Sequence, residues 1–328
     1  MAQTALEQLE SAAALVYTQM PPTPQYCWPL LCEALGGEVW VKHENHTPTG
    51  AFKIRGGITF VDWLLRQTPE CQGVVSATRG NHGQSIARAA TAAGLDATIV
   101  VPRGNAREKN AAMRSFGAQL IEYGDDFDEA REESQRIAAD RGLKHVPPFH
   151  ESLVSGVASY ALELFRSVND IDTVYVPIGC GSGICGVIRA RDALGLKTSV
   201  VGVVSDQANA AQQSFETGQV TTTSSATTFA DGMAVRVVVP EALAIYRAGA
   251  DRVISVSDHE VADAMRCYFR ATHNVSEGAG AAPLAAARQP QERKRNKDKR
   301  IAVILCGGNV DTDVFQAVLS GATPEPTF

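Results

Sequence analysis

"TVYVPIGCGSGICG", residues 173–186, runs a β-branched apolar segment into a turn with three glycines in five positions, and then into a helical pattern. A strand that turns on glycine straight into a helix is the building unit of a parallel α/β sheet. Backbone N–H groups in such a turn, uncovered by side chains, can cradle a phosphate at the helix N-terminus. The turn lacks the Gly-Lys-Ser/Thr ending of a nucleotide P-loop, and Gly179-Cys180-Gly181-Ser182-Gly183 is not a GxGxxG fingerprint. Read alone, the glycines serve a tight strand-to-helix turn equally well.

The same rhythm extends in both directions. Apolar runs predict strands at "EVWVKH" (38–43), "GVVSA" (73–77), "ATIVV" (97–101), "AQLIEY" (118–123), "SVVGVV" (199–204), "RVISV" (252–256) and "IAVILC" (301–306). Helical patterns lie between them, as at 82–94, 105–117 and 125–142, and these three close on Gly94, Gly117 and Gly142 as left-handed caps prefer. "MAQTALEQLESAAALVYTQM" reads as an amphipathic N-terminal helix; its Glu7 and Glu10 and the lack of a basic start do not suit a secretory signal. No composition break separates two halves, so a second domain would be reached by more than one chain crossing.

Composition narrows the function classes. With 328 residues the chain can bury a large core, and length alone suggests about two domains. A net charge of −6 speaks against a general nucleic-acid binder. The basic run "RKRNKDKR" (293–300) precedes an apolar segment and reads as a solvated loop. No apolar stretch approaches the ~20 residues that span a bilayer. Seven cysteines without a C-x-x-C pair fit a reducing, cytoplasmic setting and no zinc site.

Ligands of α/β sheets gather where strands end and helices begin. Three such loops stand out: "SATRGNHGQS" (76–85), "PIGCGSGICG" (177–186) and "CGGNVD" (306–311). A fourth segment, "HTPTGAFKIRGG" (46–57), sets a single lysine, Lys53, among glycines. Backbone packed that tightly suits a side chain that must reach a ligand.

Together with "ADGMAV" (230–235), these segments resemble the fold-type II pyridoxal-phosphate enzymes, in particular their serine/threonine dehydratase and serine racemase-like branch. The resemblance runs from about residue 20 to 320, in the family's order. It implies a two-domain α/β fold of the tryptophan synthase β-like kind, with twisted, mostly parallel sheets flanked by helices. Residues 1–71 and 149–328 would form the large domain and 72–148 a small inserted one. The implied cofactor is pyridoxal 5′-phosphate, joined to Lys53 as a Schiff base beside Phe52. Gly179, Cys180, Gly181, Ser182 and Gly183 would hold its phosphate, Asn81 its 3′-oxygen and Cys306 its pyridine nitrogen, with Gly232 and Glu277 nearby. Thr78, Asn81 and His82 would clasp the substrate carboxylate. The implied partner is a small amino acid and the implied assembly a homodimer.

The chemistry follows from the residue types. Desolvation and nearby cationic groups lower a lysine's pKa, so that it can bond a carbonyl carbon and later carry a proton. A neutral thiol at Cys306 contacts a ring nitrogen only weakly, where an aspartate would keep it protonated; that favours prompt β-elimination over transamination. The expected reaction takes a 3-hydroxy amino acid of serine or threonine type to a 2-keto acid and ammonia. Alternatives are 3-hydroxyaspartate or phenylserine-like substrates, a β-replacement synthase, and a ligand-binding module without turnover. Two positions depart from the family. Arg79 stands where dehydratases and racemases often carry serine; it suits either a second substrate carboxylate or a structural ion pair. Val204 and Ala210 occupy places that are acidic in cation-binding members, and Asp206 alone does not make a site, so no metal is expected.

Overall fold

The computed structural model describes residues 3–125 and 127–326. Among them ten strands form two sheets. They are β1 (Gln25–Cys27), β2 (Glu38–His43), β3 (Gly73–Ala77), β4 (Asp96–Val101), β5 (Gln119–Glu122), β6 (Lys144–His145), β7 (Thr173–Pro177), β8 (Ser199–Ser205), β9 (Arg252–Val256) and β10 (Arg300–Leu305). The larger sheet has the order β1-β2-β10-β7-β8-β9, and the smaller β5-β4-β3-β6. Every pairing is parallel except β1 with β2. Helices cover both faces, which is why β3 and β7 are buried at every position and read as unbroken apolar runs.

Each sheet has its own apolar core. Val174, Val201 and Ala302 lie in that of the larger sheet, and Val74, Ile99 and Met113 in that of the smaller. The N-terminal helix Ala5–Tyr17 opens on a capping box between Thr4 and Glu7 and buries Leu9, Ala13 and Val16. Gly94, Gly117 and Gly142 all take left-handed φ. The basic run differs from its reading as a loop. Arg293–Arg295 finish the helix Pro290–Arg295, and Arg300 opens β10. Pro290 presets the first turn, and the buried Glu292 carboxylate accepts the Tyr175 hydroxyl (2.5 Å) and pairs with Arg252, pinning the helix to the sheet.

The helix Lys53–Gln67 joins the two sheets' surroundings. It crosses the helix Glu151–Ser167 so closely that a Cβ on Gly156 would lie 2.3 Å from the Arg55 carbonyl oxygen. Beneath its first turn lies a buried charge cluster. Arg55 donates to Glu44 (2.7 Å) and Glu163 (2.6 Å), and Lys42 donates to Glu163 (2.6 Å). Two cations and two carboxylates therefore satisfy one another without solvent, and they fix the start of the helix on which Lys53 sits.

Candidate active site

Lys53 is the first residue of its helix, and Phe52 precedes it as the cap. The loop before it is tied to the end of β10: the Phe52 N–H donates to the Cys306 carbonyl (2.9 Å), and the Gly308 N–H to the Gly50 carbonyl (2.9 Å). Two further loops leave the C-terminal ends of β3 and β7 and open the helices Asn81–Ala92 and Ser182–Ala193. All of them face a cavity of about 560 Å³. The structure brings every residue implied by the resemblance, and the departing Arg79, to its wall: Phe52, Lys53, Thr78, Arg79, Asn81, His82, Gly179, Cys180, Gly181, Ser182, Gly183, Gly232, Glu277 and Cys306.

At the cavity floor the Lys53 ammonium donates to the Ser182 hydroxyl (3.1 Å) and lies 5.0 Å from the Phe52 ring centre. Burial pulls the lysine below its ordinary value, opposed by Cys180, Cys306 and Glu277. The glycine turn hugs its surroundings. A Cβ on Gly179 would meet the Gly232 carbonyl oxygen at 2.4 Å, and Gly181 has φ +98°. Side chains at these places would fill the space that the turn leaves at its helix N-terminus.

The opposite wall is a hydrogen-bonded chain. Asn309 Nδ2 donates to Asn81 Oδ1 (2.8 Å) and to the Thr49 carbonyl (2.8 Å), while Asn81 Nδ2 donates to Glu277 Oε1 (2.6 Å). Glu277 is buried, and its Oε2 has no hydrogen-bond partner. Burial pushes its carboxyl up to about 7, with Asp231 adding to the rise and Lys109 and Asn81 opposing it. Cys306 is held neutral, because burial raises its thiol well above the ordinary range. Thr78 Oγ1 accepts the N–H groups of Gly80 (3.0 Å) and Gly83 (3.2 Å), which aims the hydroxyl proton elsewhere. The first-turn N–H groups of Asn81 and His82 have no acceptor within their own helix. His82 is neutral: burial lowers it to about 3, helped by the Lys53 charge, and its Nε2 is unpartnered.

Several wall residues leave no mark in the sequence. Lys109, Phe127, Asp128, Arg131 and Arg236 line the cavity, yet in the sequence they are ordinary members of helical or loop segments. Nothing in their spacing announces a buried or converging side chain. At the places considered for a cation, Val204 and Ala210 are buried in the apolar core and Asp206 is exposed. Among the described residues no group of three or more His, Cys, Asp or Glu side chains converges as a metal site, and no helix is long and apolar enough to cross a membrane.

This donor set fits pyridoxal phosphate: a half-buried lysine with lowered basicity, a glycine cradle with no room for a Cβ at Gly179 or Gly181, and the unpartnered Nε2 of His82, a residue lining the same cavity. Comparison with known proteins agrees. The chain is 32% identical to the L-threonine ammonia-lyase of Thermotoga maritima over 97% of its own length and 76% of that protein's. It is 31% identical to the L-threo-3-hydroxyaspartate ammonia-lyase of Saccharomyces cerevisiae, over 93% of both. Among solved structures, threonine deaminase isoform 2 from Solanum lycopersicum superposes with a TM-score of 0.90 at 28% identity, covering 96% of this chain and 87% of that one. Maize serine racemase gives 0.89 at 28% identity and 96% of both. Residues 16–307 match the pyridoxal-phosphate dependent enzyme family, and the chain belongs to it as a fold-type II member.

Proposed function

We propose that the chain is a dehydratase (ammonia-lyase) that converts a 3-hydroxy amino acid of serine or threonine type to a 2-keto acid and ammonia. The observation that carries this reading is Lys53: a half-buried lysine of lowered basicity on the cavity wall, reaching to the glycine turn. Bound pyridoxal phosphate supplies the electron sink that makes the substrate Cα–H bond acidic. The chain's own residues do the rest. Gly179–Gly183 hold the phosphate at the helix N-terminus, and Phe52 packs against the cofactor end of the cavity. Asn81, held by Glu277 and Asn309, meets the 3′-oxygen, and Cys306 faces the ring nitrogen as a neutral thiol. Gly232 closes the cradle through its contact with Gly179. Thr78 and the N–H groups of Asn81 and His82 hold the substrate carboxylate. Lys53 takes the Cα proton, and the β-hydroxyl takes up a proton and leaves as water; the released enamine then takes water back to give the 2-keto acid and ammonia.

The same reading divides the chain into a large domain (1–71 and 149–328) and a small inserted one (72–148). The latter holds the strands of the four-stranded sheet. It also carries a homodimer and a cytoplasmic location, the latter in keeping with seven free cysteines. A second reading, a bulkier substituent on the substrate Cβ, is favoured by the apolar residues Phe127, Pro148, Val235 and Val237 among those that line the cavity. Release of keto acid and ammonia from a panel of 3-hydroxy amino acids, in both Cα configurations, tests both. Equimolar products from at least one member are expected. Ligand binding without product would leave a binding module, and product only with an added nucleophile would mean a β-replacement synthase.

A further inference from the structure

Lys109 lies on the helix Arg107–Ser115, beside the four-stranded sheet, yet its ammonium ends among residues that belong with the other sheet. It is 2.5 Å from Asp231 Oδ2 and 3.5 Å from Glu277 Oε2. The side chain is 6% exposed, so this cation has left water for those two carboxylates. Its stem runs under the loop that carries Asn81: a Cβ on Gly80 would lie 2.5 Å from Lys109 Cδ. The same helix is docked at its exposed end by reciprocal capping. The N–H groups of Arg107 and Glu108 donate to the Asp311 carboxylate (2.9 and 3.2 Å), and the Thr312 N–H donates to Glu108 (2.9 Å). Asp311 follows Asn309 and Cys306 on one segment, so the first turn of the helix is fastened twice to the cofactor end of the cavity.

We propose that Lys109 is a positioning residue: its charge keeps Glu277 a carboxylate, Glu277 then fixes the Asn81 amide, and the loop 78–82 is held in register over the cofactor. The inference rests on the cofactor reading given above. Glu277 is faced by Lys109 and Asp231, by the Asn81 amide, and by Lys53 and Cys306. Of the charges, Lys109 favours the ionised form and Asp231 opposes it. Burial and Asp231 hold Glu277 at about 7 even against Lys109 and the Asn81 amide, so removing the Lys109 charge moves it further up. A protonated Glu277 accepts from Asn81 Nδ2 (2.6 Å) only through a neutral carboxyl oxygen, a weaker bond than the charge-assisted one.

The test uses Lys109→Met, Lys109→Arg and Asp231→Asn in the full-length protein, with two readouts. One is the Kd of the apoprotein for pyridoxal phosphate between pH 6 and pH 9, followed by fluorescence. The other is the acid limb of kcat/KM against pH in the loaded enzyme. Lys109→Met is expected to weaken cofactor binding about tenfold near pH 6.5 and to recover as pH rises, with the acid limb moved up by about one unit, the equivalent of tenfold in the ionised fraction. Lys109→Arg is expected to stay near wild type, and Asp231→Asn to move the limb the opposite way. Adding Glu277→Gln should erase the difference that Lys109→Met makes. A limb and a Kd profile unchanged in Lys109→Met, a shift of the same sign in Asp231→Asn, or a shift that survives Glu277→Gln would each overturn the proposal. Those results would leave keto-acid release by the wild type intact, whereas its absence would overturn the function itself.

Discussion

Arg55→Met removes the centre of the buried charge cluster under Lys53, and the structure sets the scale of the effect. The guanidinium donates to both oxygens of Glu44 (2.7 and 2.9 Å) and both of Glu163 (2.6 and 3.0 Å), as well as to Ser159 (2.8 Å) and Thr23 (3.2 Å). Methionine keeps the apolar stem but leaves two carboxylates with Lys42 as the nearest cation. Breaking a buried pair in this way costs roughly 3–5 kcal/mol, a large part of a typical ~5–15 kcal/mol stability. The pH dependence carries the sign. In the wild type burial raises Glu163, but Arg55 and Lys42 outweigh it and the net shift is downward. Its contribution is therefore present above the unfolded carboxylate value and is lost only as pH falls through the lower folded one. Without Arg55 the balance tips upward, and stability is lost as pH rises through the carboxylate range. Urea unfolding followed by tryptophan fluorescence should show a gap between variant and wild type that widens from pH 5 to pH 8. Activity should also fall, because Lys53 lies two residues away on the same helix turn. A loss below about 1 kcal/mol, of the size of an exposed ion pair, at all pH values would refute the reasoning.

Cys306→Ser should retain elimination, since a hydroxyl makes the same weak contact to a neutral ring nitrogen, whereas Cys306→Asp should divert flux to racemisation or transamination; equal product ratios in wild type and Cys306→Asp would remove that argument. Arg79 tests acidic specificity: if its guanidinium reads a side-chain carboxylate, Arg79→Ser should lower kcat/KM on 3-hydroxyaspartate relative to serine by on the order of tenfold to a hundredfold. Parallel losses on serine, threonine and 3-hydroxyaspartate would assign Arg79 a structural role instead.

Much of this fold is legible in the chain because its strands are buried on both faces. β2, β3 and β9 match their apolar runs residue for residue, and the other long strands differ by a residue or so at their ends. β1 and β6 were not visible, since two or three residues at a sheet edge carry no period to read. The wall positions carried by glycine turns and strand ends could be named in advance because backbone conformation itself leaves a trace there. Lys109 left none. It sits among "REKNAAMRS", a strongly polar helix segment, and only tertiary packing turns that lysine inward. The buried cluster of Lys42, Glu44, Arg55 and Glu163 is hidden for the same reason: its members are up to 121 residues apart, and each alone reads as a surface charge.

The most direct test of the account is to reduce the pyridoxal phosphate-loaded protein with borohydride, digest it and weigh the peptides, in wild type and in Lys53→Ala. The wild type should carry the reduced cofactor on the peptide containing Lys53 and release keto acid and ammonia in equal amounts from a 3-hydroxy amino acid. Lys53→Ala should retain cofactor only reversibly, through the glycine turn, and release neither product. Cofactor reduced onto a different lysine, or normal turnover by Lys53→Ala, would contradict the central claim.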